Sequence, residues 1–448
     1  VKTRPCIGAI LLSIAFGAFG LSAVEAQTKI YDVREFGASG DGKSLDTVAI
    51  QRALDECGKA GGGIVRLPAG TYLSKPLTLR SKTTLVLDQD ARLKASDNPK
   101  DYLPADVTWE EVLNGSKRGP FTPFISGKDL TDVAISGRGT IDGSGAKWWE
   151  PAEEARIKKP GYTLPRPNLI VINRAKNLRL SGVRLINSPK FHFVPTDCED
   201  VLVEDVTIVS PATAANTDGI DPSRCVNVTI TNCTIDTGDD NIAIKSGEKV
   251  PGREFACENI VVTDCLFLHG HGVSIGAETV GGVRGLMVKN CRFGNTENGI
   301  RIKSRRDRGG VVQDITYADL VMTNVFPAIS IAAYYQDSSQ AKVPTDDPPQ
   351  PIAATTPFFR NITISNLTAT STKNAGIIVG LPESGVTNVV LENVRITAET
   401  GLTVVNASGV RFKNVRVEVK KGEPFILSNA QVEGLPAASD DKSRSAAK

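Results

Sequence analysis

Aromatic residues are few in this chain, at 6% of its 448 positions. A core built mainly of stacked rings is therefore ruled out. Net charge is also nearly missing, with a formal value of +2. Setting aside residues 1–26 removes two cations, Lys2 and Arg4, and one anion, Glu25, which takes +2 to +1. That excludes a global polyanion-binding charge and with it a nucleic-acid partner, so any anion must be recognised locally. No CxxC and no Cys/His pair at zinc spacing occurs, which argues against a zinc site. Gly61-Gly62-Gly63 lacks the following Lys and the GxGxxG spacing of a phosphate loop, and reads as a turn. After residue 26 no apolar run is long enough to cross a membrane.

The first 26 residues do hold such a run. Lys2 and Arg4 precede the apolar stretch Ile7 to Val24, and Val24-Glu25-Ala26 offers small residues at the −3 and −1 sites. This is the pattern of a cleavable export signal, and it predicts a secreted or periplasmic protein with no membrane attachment after cleavage. The division expected is a signal at 1–26, one catalytic domain over 27–435, and a disordered tail over 436–448 whose small and charged residues cannot build a core. Export permits disulfides, and seven cysteines follow residue 26. Their positions assign them another role.

What is abundant is Gly, Asn, Val, Ile and Thr, the composition of many short strands joined by tight turns. One pattern recurs: apolar-x-apolar-x-Asn/Asp-apolar. It runs through Val201 to Val206, Val228 to Cys233, Ile260 to Cys265, Leu286 to Cys291, Ile315 to Leu320, Ile362 to Leu367, Val389 to Val394 and Val410 to Val415. Earlier copies begin at Val133 and Leu178. Most successive copies lie about 21–32 residues apart, the period of a solenoid. Each alternates apolar and polar residues, which is strand periodicity, and no helical crossover separates them. The expected fold is all-β: a single-stranded parallel β-helix in which each turn stacks on the one before. Cys233, Cys265 and Cys291 then form one column of the stack, and Cys198, Cys225 and Cys257 another. Both columns read as small buried thiols, not bridges. Residues Asp46 to Cys57 have helical spacing, with a cap at Ser44 or Asp46, and would cover the open N-terminal end.

Extending the alignment locates the chemistry. With Ile220, Ile242, Val273 and Ile300 as equivalent inward residues, the positions two before them are Asp218, Asp240, His271 and Asn298. One position after them come Asp221, Ala243, Ser274 and Arg301, on the outer face. Three positions after come Ser223, Lys245, Gly276 and Lys303. Acids thus lie on one side of an exterior surface, a histidine beside them and cations on the other. Stacked carboxylates repel, so a purely structural coil has no reason to keep them. Paired carboxylates suit glycoside hydrolysis, and Arg301, Lys303 and Lys245 suit a substrate that carries carboxylates. Asp239 adjoins Asp240, and a like charge makes one proton easier to retain.

The segments Asn216-Thr-Asp218, Gly238-Asp239-Asp240, Gly270-His271-Gly272 and Arg301-Ile302-Lys303 resemble, in order and spacing, the signature of the polygalacturonases of glycoside hydrolase family 28. Tyr31 to Ala38 and Gly139 to Trp149 are similar to that family as well. The resemblance implies a right-handed parallel β-helix that hydrolyses α-1,4-galacturonosyl linkages with inversion. It implies Asp239 as general acid, Asp218 and Asp240 as activators of water, and His271 as their support. Asn216 would shape the cleft; Arg301, Lys303 and a tyrosine, Tyr334 or Tyr335, would hold substrate, with Lys245 adding a deeper cation. No cofactor or metal is implied, and the partner is polygalacturonate or its oligomers, met by a monomer. The excursions Lys100 to Phe124 and Gln336 to Pro357 are long enough to close one end of a groove, which leans the reading to exo-action. Stacked carboxylates about 5 Å apart would by themselves suggest retention, so inversion rests on the resemblance. Hydrolysis of rhamnogalacturonan or xylogalacturonan, a calcium-dependent pectate lyase and a non-catalytic binder remain as alternatives.

Overall fold

The computed structural model describes residues 28–159, 162–336, 344 and 346–436. The export signal read at 1–26 lies outside them, as does the tail from 437 onward. Across the described chain, strands pair in parallel with the equivalent strand of the previous turn, and the pairs fall into three ladders. One runs through the anchors, Leu178 to Val201 to Val228 to Ile260 to Leu286 to Ile315 to Ile362. A second follows it in each turn, through Thr207, Thr234, Leu266 and Arg292. The third carries Ile220, Ile242, Val273, Ile300 and Ile329. The coil expected from the repeat is present in the expected register, and the fold is an all-β, right-handed parallel β-helix.

The polar place of the repeat is where the chain bends from the first ladder to the second. Asp205, Asn232, Asp264, Asn290, Asp319, Asn366, Asn393 and Asn414 all have φ between 52° and 57°. This is left-handed backbone, which Asn and Asp tolerate better than other side chains. One such residue turns the strand, so the bend needs no longer loop. Their side chains also stack: Asn366 donates to Asp319 at 2.8 Å, Asn393 to Asn366 at 3.2 Å and Asn414 to Asn393 at 2.8 Å. A second ladder of the same kind lies just before the anchors, with Asn361 donating to Asp314 at 2.9 Å and Asn388 to Asn361 at 3.2 Å.

Inward residues form one continuous core of Ile, Val and Leu. All seven cysteines of the described chain are buried free thiols, the two predicted columns included. The helix α1 (Thr47–Lys59) closes the N-terminal end, burying Ala49, Ile50, Ala53, Leu54 and Cys57. Asp46 stands at its N-cap but makes no capping bond. Its carboxylate turns back to accept from the amides of Ser39 at 2.7 Å and Gly40 at 3.1 Å. Gly62 is a turn residue: at φ 119° an added Cβ would lie 2.4 Å from the Lys82 carbonyl oxygen.

Two helices absent from the sequence reading stand beside the third ladder. They are α2 (Trp109–Leu113) and α3 (Ala146–Lys158). Trp148 of α3 is buried edge-to-face against Tyr102, Trp109 and Phe121. The excursion over 100–124 is thus spent largely on supporting α3. A chain with few aromatics overall concentrates four of them in one cluster here.

Candidate active site

The third ladder's strands are short, and the turns entering them hold the functional groups. A backbone bond from His271 N to the Asp239 carbonyl, 3.0 Å, and another from Gly219 N to the Asp240 carbonyl, 2.9 Å, tie the turns of successive coils together. Gly270 sits at φ 112°, where an added Cβ would lie 2.5 Å from the Asp239 carbonyl oxygen. Only glycine lets the two turns approach this closely.

Asp218, Asp239, Asp240 and His271 converge as the alignment predicted, but they are unlike one another. Asp239 lies in the turn, its side chain 20% exposed on the cleft floor, whereas that of Asp240 is 2% exposed. The Oδ1 of Asp239 accepts from the Asp240 amide at 2.8 Å and faces His271 Nδ1 at 3.0 Å. Its Oδ2 accepts from Asn216 Nδ2 at 3.3 Å. The other ring nitrogen of His271 lies 3.3 Å from Glu297 Oε2. Both nitrogens thus face carboxylates, an arrangement that favours the imidazolium. Burial alone would lower the His271 pKa, but Asp239, Asp240 and Glu297 together raise it.

Asp240 is surrounded by donors. Ser274 Oγ donates to Oδ1 at 2.7 Å, Arg301 to Oδ1 at 3.3 Å and Lys303 to Oδ2 at 2.7 Å. Burial pushes its carboxyl up, and Lys303 and Arg301 outweigh that and hold it below the usual range. Asp239 is likewise pushed up by burial and then pulled well down by His271. The proton that adjacency of these two carboxyls makes easier to retain is thus not favoured on either of them. An imidazolium at hydrogen-bond distance outweighs the adjacent carboxylate.

The acid that does hold a proton readily is Asp218. It shares Lys245 with Asp221: Lys245 Nζ donates to Asp218 Oδ2 at 3.1 Å and to Asp221 Oδ2 at 2.7 Å. One half-buried cation serves two buried carboxylates, so the pair takes up a proton more readily than a free carboxyl does. Burial and Asp221 raise Asp218 well above a usual carboxyl; burial lifts Asp221 to about 6, with Lys245 opposing. Sequence reasoning named Asp221 in the outward column and gave it no role. It also placed the outward groups on an exterior surface. Asp221, Arg301 and Lys303 are buried, because neighbouring coils and their own partners cover them.

The cleft above has a volume of about 920 Å³, lined by Asp239, His271, Glu297, Arg301, Lys303 and Tyr335 on the floor and by residues of α3 and 162–166 on the wall. Tyr335 is the tyrosine of the site: its ring centre lies 5.3 Å from Lys303 Nζ and 5.7 Å from the Arg301 guanidinium carbon. Tyr334 turns away and donates to Asp347 Oδ2 at 2.6 Å, beside Arg306. Arg166 is a partner the sequence did not single out. Its buried guanidinium donates to the carbonyls of Pro189, 3.0 Å, and Ala215, 3.1 Å, and to Asn216 Oδ1 at 2.9 Å. It thereby orients the Asn216 amide so that its nitrogen faces Asp239. Burial lowers Arg166 to about 10.

One carboxylate or imidazole atom from each of Asp239, Asp240 and His271 falls within a 4.8 Å cluster, a set that could in principle ligate a cation. Here the chain's own Lys303, Arg301 and His271 already balance the two carboxylates. Together the groups can give a proton from one carboxyl, hold a water with two others and bind anionic groups with cations.

A family model described as Glycosyl hydrolases family 28 matches residues 57–420. An endo-polygalacturonase of Pectobacterium carotovorum subsp. carotovorum is 36% identical over 376 residues, covering 82% of this chain and 87% of the relative. The solved polygalacturonase from Erwinia carotovora ssp. carotovora is 34% identical with a TM-score of 0.66, over 88% of this chain and 94% of that one. An exopolygalacturonase from Thermotoga maritima is 27% identical with a TM-score of 0.67, over 90% and 92%.

Proposed function

The chain belongs to glycosyl hydrolases family 28, and from that membership we propose that it cleaves the α-1,4-galacturonosyl linkages of polygalacturonate by adding water with inversion. The observation that carries the reading is Asp239, partly exposed on the cleft floor, flanked by buried Asp218 and Asp240 and bonded to His271. Asp239 protonates the leaving oxygen. In the empty cleft the shared proton rests on His271. Substrate displaces water, which disfavours the His271–Asp239 ion pair relative to its neutral form, so the proton passes from His271 Nδ1 to Asp239 Oδ1 across 3.0 Å. With the proton of the Asp218–Asp221 pair on Asp221, ionised Asp218 takes the proton of the attacking water, and Asp240, kept ionised by Lys303 and Arg301, orients it. The hydroxide adds to the anomeric carbon as the glycosidic bond breaks. Arg301, Lys303 and Tyr335 hold the sugar beside that bond.

For the mode of attack, internal cleavage is proposed over the exo-action leaned to from loop lengths, with relatives of both modes similar to the chain. No residue of 100–124 lines the cleft, because that excursion is packed on α3. The endo-named relative also shares more of its sequence with this chain than the exo-named structure does. A secreted or periplasmic location suits a polymeric substrate and the leader read at residues 1–26. The test is product analysis. Reducing ends without ultraviolet-absorbing unsaturated products, undiminished by a chelator, are expected; an unsaturated, chelator-sensitive product would mean a lyase. On oligogalacturonides of defined length, a spread of products is expected, and release of one product from one end would restore the exo reading.

A further inference from the structure

Two side chains one coil before Asp218 take no part in the machinery above. Phe193 bridges Ile220, so Phe191, two residues earlier, occupies the register place of Asp218, Asp240, His271 and Asn298. Lys190 precedes it and is half-buried. Its Nζ lies 4.4 Å from the centre of the Phe191 ring, and Lys245 Nζ lies 4.1 Å from the same centre.

The cations around the cleft differ in what they hold. Lys245 holds Asp218 and Asp221, while Lys303 and Arg301 hold Asp240. Lys190 has no carboxylate within 4.0 Å among the described residues. Burial and the like charges of Arg166 and Lys245 outweigh the more distant attraction of Asp218 and Asp221, which Lys245 already holds, and lower its pKa. Arg166 itself donates to carbonyls and an amide, not to an acid. An ammonium removed from water and set beside other cations is unfavourable until an anion joins it. The ring beneath it offers a flat apolar face and a cation-attracting surface, which keeps the ammonium in place meanwhile.

We propose that Lys190, resting on Phe191, binds the carboxylate of a uronate sugar on the Asp218 side of the cleaved bond, opposite the sugar held by Arg301 and Lys303. The place rests on the polygalacturonate reading and extends it to a specificity: the sugar there must carry a free carboxylate. Phe191 lies two coils from Asp240, about 10 Å along the axis, which separates this place from the cations at Arg301 and Lys303. A methyl ester removes the charge and leaves the ammonium unmatched.

The test compares wild type with Lys190→Met and Lys190→Arg on oligogalacturonides and on the same oligomers methyl-esterified. Lys190→Met is expected to raise KM for the free acids about tenfold, the loss of one charge-assisted hydrogen bond. Its kcat should stay within about twofold, since Lys190 touches no catalytic acid. The preference of kcat/KM for free acid over ester should fall by about the same tenfold. Lys190→Arg should restore both. Unchanged KM and unchanged ester preference in Lys190→Met, with wild type active, overturn the subsite alone. A wild type that releases no reducing ends from either substrate overturns the underlying reading and the subsite with it. Should Lys190→Met fail to fold, as judged by its thermal melt, Lys190→Arg decides: retained preference supports the proposal, and lost preference overturns it.

Discussion

The coils from Asn216 to Lys303 and those from Phe358 to Val419 share one repeat and one core, yet they spend their outward positions differently. In the third ladder, Ala243, Ser274 and Arg301 are followed in register by Ser330, Ile377 and Thr403. Lys303 is followed by Ala332, Val379 and Val405. Where the earlier coils bury Asp218, Asp221, Asp240, Arg301 and Lys303, the later ones bury only the small polar Ser371 and Ser384 and carry exposed Asn ladders at the bends. The later coils show what a turn of this solenoid needs in order to stand: an inward apolar column and a left-handed Asn. The buried charges of the earlier coils are additional, and their desolvation costs stability. They are retained for chemistry.

Substitutions that separate these two economies should fall in a definite order. Asp239→Asn removes the proton donor and should lower kcat by roughly 10²- to 10⁴-fold, with a melting temperature unchanged or raised. Reducing-end assays and a thermal melt check both halves. Lys303→Met strips Asp240 Oδ2 of its 2.7 Å partner and leaves a buried charge. Denaturant unfolding should show a loss of about 3–5 kcal/mol, together with loss of activity. In the later coils, removing the exposed Lys420 from its pair with Glu399 should leave the unfolding midpoint unmoved.

The acid pair sharing Lys245 makes stability depend on pH. Asp221 is raised from an ordinary 3.8 to about 6 in the folded protein. Its protonated form favours the fold, so that contribution is full below the unfolded value and is lost as pH rises through about 6. Asp221→Asn abolishes this dependence. Between pH 4 and pH 7 the variant's midpoint should therefore move in its favour relative to wild type. Parallel slopes would contradict the raised value. Asn393→Ala should cost about 1–2 kcal/mol, from one ladder bond and a non-Gly residue at positive φ, and leave hydrolysis intact.

Much of this was legible in the sequence because a solenoid writes its third dimension into its period. Ile220, Ile242, Val273 and Ile300 could be superposed without coordinates, and Asp218, Asp240 and His271 followed. Residues in excursions have no period to follow. Hence α3, Arg166 and the Trp148 cluster were not anticipated, nor the side each of Tyr334 and Tyr335 faces. Protonation was misread for a related reason. Adjacency of Asp239 and Asp240 suggests that the pair retains a proton, but His271, a coil away, outweighs that effect at Asp239. Asp218 and Asp221 hold the raised values because burial lifts both and a single lysine must serve the pair.

The division of labour among Asp218, Asp239 and Asp240 is tested most directly by the configuration of the first-formed product. Proton NMR during the early turnover of oligogalacturonides reads the new reducing end before it mutarotates. Water delivered by Asp218 and Asp240 opposite the departing group predicts the β-anomer first, with α appearing later. An α-anomer formed first would mean that a carboxylate attacks the sugar itself, and would contradict the account.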